Sequence, residues 1–135
     1  MRDTDEILGM IKKEGLDFFL NKGKYKINVG IYLEHLMEER GVSRKDVVYK
    51  LNLEESYGRK LFGGQRTPTR KFLIQCGILL GLSLEEMQKL LDVGGKARLY
   101  PRVRYDAAII YGIEKKMTLE EMNSFMEEIG EEPIL

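Results

Sequence analysis

The sequence predicts an all-α fold, and three observations predict it. Apolar residues recur at helical spacing over nearly the whole chain, no alternating strand pattern is sustained, and capping residues punctuate the apolar stretches. At 135 residues the chain suits one domain with helical extensions, long enough to bury a core without disulfides or metal. Residues 1–26 read as an N-terminal helical extension, 27–92 as the central helical domain, and 93–135 as a C-terminal helical hairpin packed on the core.

A first helix is expected over 4–20, with Ile7, Leu8, Ile11 and Phe18 or Phe19 forming an apolar stripe, before the stretch NKGKYK interrupts it. A second, over 28–40, spaces Val29, Leu33, Leu36 and Met37 along one face and ends at Gly41, a residue type favoured just past a helix C-terminus. Ser43 caps a third over 44–51, with Asp46 in its first turn. A fourth occupies 55–62. Thr69 caps a fifth over 70–80, where Phe72, Leu73, Cys76, Leu79 and Leu80 make a broad apolar face that Gly81 terminates. Ser83 caps a sixth that runs to residue 91. After the irregular DVGGKARLYPRVR come helices over 105–115 and 119–129, the last behind a Thr118 cap with Glu121 three residues on.

Composition excludes several classes of function. A single cysteine, Cys76, rules out an internal disulfide framework and a cysteine-based zinc cluster, and fits a reducing, cytosolic location. No apolar run approaches the roughly 20 residues of a membrane helix, and MRDTDEILGM has acids where a signal peptide has a basic start. His35 is the sole histidine; LEHLMEERG lacks the second histidine of a zinc protease motif, and His35 is expected at the surface. Cys76, on the apolar face of its helix, reads as a core filler. Gly63-Gly64 and Gly94-Gly95 read as turns, because neither follows a strand nor continues into a phosphate-binding Gly-Lys-Ser/Thr. The seven methionines are spread over several helices, as packing residues are. No catalytic residue, metal site or cofactor is expected.

Net charge is zero, with 22 basic and 22 acidic residues, but the charge is segregated. Residues 41–71 hold eight basic and three acidic side chains, 96–113 hold four and one, and 114–135 hold two and seven. The basic segment coincides with an architectural feature. The four residues 51–54 are too few for the third and fourth helices to run back antiparallel, so the two are expected to cross steeply as a helix-turn-helix unit. Val47, Val48, Leu51, Leu53 and Leu61 then point inward, and the outer face of the later helix projects.

The run GVSRKDVVYKLNLEESYGRKLFGGQRTPTRKFLIQCGILLGLSLEEM resembles the helix-turn-helix domain of the XRE family, related to the phage lambda and Cro repressors. Gly41-Val42-Ser43 matches the Gly-Leu-Ser that opens the family's second helix, and Leu53 its hydrophobic turn residue. Gly64, Arg66 and Pro68 match a small-basic-proline loop, and Leu79, Gly81 and Leu82 its closing Leu-Gly-Val. The resemblance covers residues 28–91. The following LYPRVRYDAAIIYGIEKKMTLEEMN is similar to a tail in XRE-type proteins of clostridia and relatives, which implies kinship without supplying an activity.

The resemblance implies a lambda repressor-like bundle and sequence-specific binding of double-stranded DNA by a transcriptional regulator, with 55–62 as the recognition helix. The expected DNA-binding residues are Arg44, Lys45, Glu55, Ser56, Arg59, Lys60, Gln65 and Arg66. Arg59 is expected to fork onto guanine, and Arg44, Lys60 and Arg66 to hold phosphates; Glu55 either serves the helix dipole in the first turn, which needs no DNA, or accepts from a cytosine amino group. Glu54 stands where the family prefers a serine cap and is expected to substitute for it. Val48 replaces a family alanine and Gly58 a family isoleucine or valine, an expected exchange of size with Tyr57 covering the flank. Arg98, Arg102 and Arg104 are expected to pair with tail acids such as Glu114 or Glu121, in preference to reaching DNA phosphate. The acidic last helix lies away from DNA, either packed on the domain or at an oligomer contact. A homodimer or protein partner, through the N-terminal or C-terminal helices, would add the affinity that one unit lacks. The alternative is a protein-interaction adaptor, the same fold with Glu54, Glu55 and Tyr57 on a protein-binding face.

Overall fold

Asn28 opens the first helix of the computed structural model, which describes residues 28–135; the helix expected over 4–20 and the 1–26 extension lie outside the described residues. The Asn28 side chain accepts from the Gly30 N–H at 2.7 Å and so caps α1, Val29–Glu39. Beyond it Gly41 takes a positive φ of 68°, which lets the Val42 N–H bond back to the Met37 carbonyl. α2, Arg44–Lys50, starts at a reciprocal capping box: the Ser43 hydroxyl accepts from Asp46 N–H, and the Asp46 carboxylate accepts from Ser43 N–H. This pair of bonds holds the Asp46 carboxyl below its ordinary pKa, the Ser43 N–H contributing most.

Asn52 ends α2 with φ 56°, a left-handed conformation that asparagine tolerates better than most residues. The Leu53 N–H then bonds to the Val48 carbonyl, and the chain turns at once into α3, Glu55–Phe62. α4, Arg70–Leu80, is capped by Thr69, and α5, Leu84–Val93, by a Ser83–Glu86 capping box. α6, Arg104–Glu114, and α7, Leu119–Glu128, follow, with a third capping box from Thr118 and Glu121. All seven helices among the described residues are α-helical, and no strand occurs among them. None is long and apolar enough to cross a membrane.

α4 and α5 form the central pair; α1 packs on α5 and α3, α2 on α3, α6 on α5, and α7 on α4 and α6. One buried cluster runs through all of them, from Leu33 and Met37 through Val47, Leu61, Ile74 and Leu90 to Ile109, Met122 and Ile134. Cys76 is fully buried there, and burial pushes its thiol pKa far up, so it acts as apolar filling. The C-terminal residues are fastened too: Gln75 donates to the Ile134 carbonyl at 2.7 Å and the Leu135 N–H to Asn123 at 2.8 Å. The acidic α7 therefore lies on the α4 and α6 side of the molecule.

A buried ion pair locks α4 to α6. Asp106 is 4% exposed and accepts two bonds from Arg70 and one from the Tyr100 N–H. Arg70 also donates to the carbonyls of Ala97 and Arg98, so the irregular stretch before α6 is pinned through one guanidinium.

Candidate nucleic-acid interface

α2 and α3 present the charged face, and their contact depends on an exchange of volume. A Cβ at Gly58 would lie 2.6 Å from Val48 Cγ2, so the valine occupies the space a larger residue at 58 would need. Tyr57 is half-buried against the core, with the Arg66 guanidinium 5.9 Å from its ring centre. The outer seam between the helices is an open cleft of about 710 Å³, floored by Val48, Gly58 and Phe62.

The structure divides the expected contact residues into two groups. Arg44, Lys45, Glu55 and Arg59 line the cleft together. Ser56 and Lys60, one turn apart on the adjoining stripe of α3, are exposed and lie outside it. Gln65 and Arg66 are exposed in the following loop, where both backbone N–H groups bond to the Lys60 carbonyl and hold the loop against the end of α3.

Several of these side chains already have partners. Arg44 forks onto Glu34 of α1 at 2.6 and 2.7 Å and lies 5.4 Å from the Phe62 ring centre, so two of its five N–H donors and its charge are already engaged. The Glu34 hydrogen bond raises the Arg44 pKa. Arg59 bonds to Glu55 at 3.1 Å across one helical turn, with both side chains largely in solvent. Of the eight basic residues in 41–71, Arg44, Arg59, Arg70 and Lys71 are ion-paired. Lys45, Lys50, Lys60 and Arg66 are exposed and form no ion pair with any other described residue.

Three expectations are corrected. Glu54 stands at the N-cap of α3, but its side chain makes no capping hydrogen bond. Glutamate is not among the short side chains that fit this role, so the first N–H groups of α3 lack the closure that Ser43, Thr69, Ser83 and Thr118 supply elsewhere. Arg104 pairs with a tail acid, as expected, but Arg98 pairs outside the tail. Arg98 forks onto Asp92, and Arg104 binds Glu131 and the Ile129 carbonyl. Glu121 is occupied by the Thr118 N–H. His35 is half-buried in a cleft between α1 and α5 with Glu85 and Glu86, its Nε2 covered and 3.4 Å from the Glu39 carboxylate without hydrogen-bond geometry.

Sequence reasoning passed over Tyr49, which is 81% exposed and lines the cleft with Asn52. Its position four residues after Lys45, on the same face of α2, was the available signal. Glu34 was also missed, because no local spacing links α1 to the start of α2. Among the described residues no three His, Cys, Asp or Glu side chains converge as metal ligands would. Comparison with known proteins returns no matching family model, no matching curated protein and no matching solved structure.

Proposed function

We propose that this protein binds double-stranded DNA sequence-specifically through a lambda repressor-like helix-turn-helix unit, with α3 in the major groove, and acts as a cytoplasmic transcriptional regulator. The observation that carries the reading is the α2–α3 side, where Lys45, Lys60 and Arg66 stand exposed and without an ion pair among the described residues. Unpaired cations at this density attract the phosphate backbone, and the protruding side chains of α3 read base edges. The XRE-type pattern of residues 28–91, with its glycine, basic residue and proline after the recognition helix, supports the same assignment. Residues 93–135 act as a hairpin that braces this unit. A homodimer or protein partner supplies further affinity.

Arg59 has the base-reading role and Arg66 the phosphate-holding role. Selection from a random duplex library, followed by Arg59→Ala and Arg66→Ala, tests the proposal. The expected result is an enriched motif, with base preference relaxed by Arg59→Ala and affinity lowered for every sequence by Arg66→Ala. Recovery of no motif, or equal effects of both changes, counts against it.

A second reading has its own support. The exposed Tyr49 beside an apolar-floored cleft is suited to an interaction module that holds a protein segment. In that case duplex binding is negligible, and Tyr49→Ala abolishes capture of the partner.

A further inference from the structure

We propose that Glu55 and Arg59 form one reading unit for a guanine and the cytosine of the same or the adjacent base pair. This inference rests on the DNA-binding reading above and names the class of sequence it selects. Arg59 Nη1 donates to Glu55 Oε1 at 3.1 Å, and the side chains are 66% and 86% exposed. A single bond leaves the other guanidinium N–H donors and the second carboxylate oxygen available. Guanine offers O6 and N7 to a guanidinium fork, and cytosine offers its N4 amino group to a carboxylate. Residues one turn apart on a helix lie about 5–6 Å apart at Cβ, and stacked bases rise about 3.4 Å per step. Their bonded ends, 3.1 Å apart, match that rise, so the two side chains reach edges about one step apart.

The pairing also answers how an acidic residue at the start of α3 tolerates DNA. A lone carboxylate approaching the duplex is repelled by phosphate, whereas one already bonded to a guanidinium arrives with its charge compensated. Stability does not require the pair, since an ion pair this exposed contributes little to folding. Lys60 and Arg66 can hold the backbone while this pair makes the discrimination.

The test is selection from a random duplex library with the full chain and its Glu55→Gln and Glu55→Ala variants, with matched thermal melting as the folding control. The parent chain should enrich a G·C pair at one position. Glu55→Gln should move the preference there from cytosine toward adenine, because an amide pairs with adenine N6 and N7. Glu55→Ala should lose discrimination at that position by roughly 5- to 150-fold, while binding arbitrary duplexes more tightly at low salt because one negative charge is gone. A motif that neither variant alters overturns the reading unit and leaves DNA binding standing. No enrichment and no salt-dependent binding by the parent chain overturns both.

Discussion

Arg66 and Arg70 lie four residues apart and meet opposite surroundings. Arg70 closes on the buried Asp106 and two backbone carbonyls. Arg66 stands in solvent with only the Tyr57 ring beneath it. The same contrast recurs through the molecule: Arg70, Lys71, Arg98 and Arg104, like Arg44 and Arg59 of α2 and α3, have carboxylate partners, while Lys45, Lys60 and Arg66 have no ion pair among the described residues. A count of basic residues along the chain thus overstates the charge available to a partner. What matters is which cations the fold leaves uncompensated.

The fastened side breaks most severely. Asp106→Ala leaves the partly exposed Arg70 without its counter-charge and the Tyr100 N–H without its acceptor, and should cost about 2–3 kcal/mol in chemical denaturation. A loss under about 1 kcal/mol would mean that solvent replaces the pair. On the open side, Gly58→Ala drives a methyl into Val48 Cγ2 and should cost about 1–3 kcal/mol. Val48→Ala in the same chain should recover most of that loss, because alanine at 58 also improves helix propensity by about 1 kcal/mol. Additive losses in the double variant would refute the exchange of volume.

Much of this architecture was legible in the sequence, for reasons that differ by element. α3 was expected over the residues it occupies, between the short 51–54 link and the glycine pair that follows it. Ser43, Thr69, Ser83 and Thr118 marked starts because a short hydroxyl side chain at that position satisfies an otherwise open N–H. Local rules of that kind act within one turn. The partners of Arg44, Arg70, Arg98 and Arg104 depend on which helices meet, and Asp106 and Glu34 carry no local mark of their roles. Glu54 misled for a related reason: its position was right for a cap and its side chain was not.

A smaller effect concerns the start of α2. Ser43→Ala should lower stability by about 1 kcal/mol. The folded pKa of Asp46 is depressed, so its contribution is present above the unfolded value near 4 and is lost as pH falls through the folded value. Asp46→Ala, which removes the titrating carboxylate itself, should therefore flatten the acid limb of a stability–pH curve below about pH 4, and an unchanged limb would contradict this account of the capping box. Smaller again, Lys60→Ala should reduce the dependence of duplex affinity on salt by about one unit of log–log slope. No change would remove Lys60 from the phosphate contacts.

Fluorescence anisotropy of the parent chain on a labelled duplex, across a salt series, tests the uncompensated α2–α3 charge most directly. Lys45, Lys60 and Arg66 each meeting a phosphate predict that log affinity falls against log salt with a slope of about −3. Negligible binding at low salt, or an affinity flat across the series, would contradict the account.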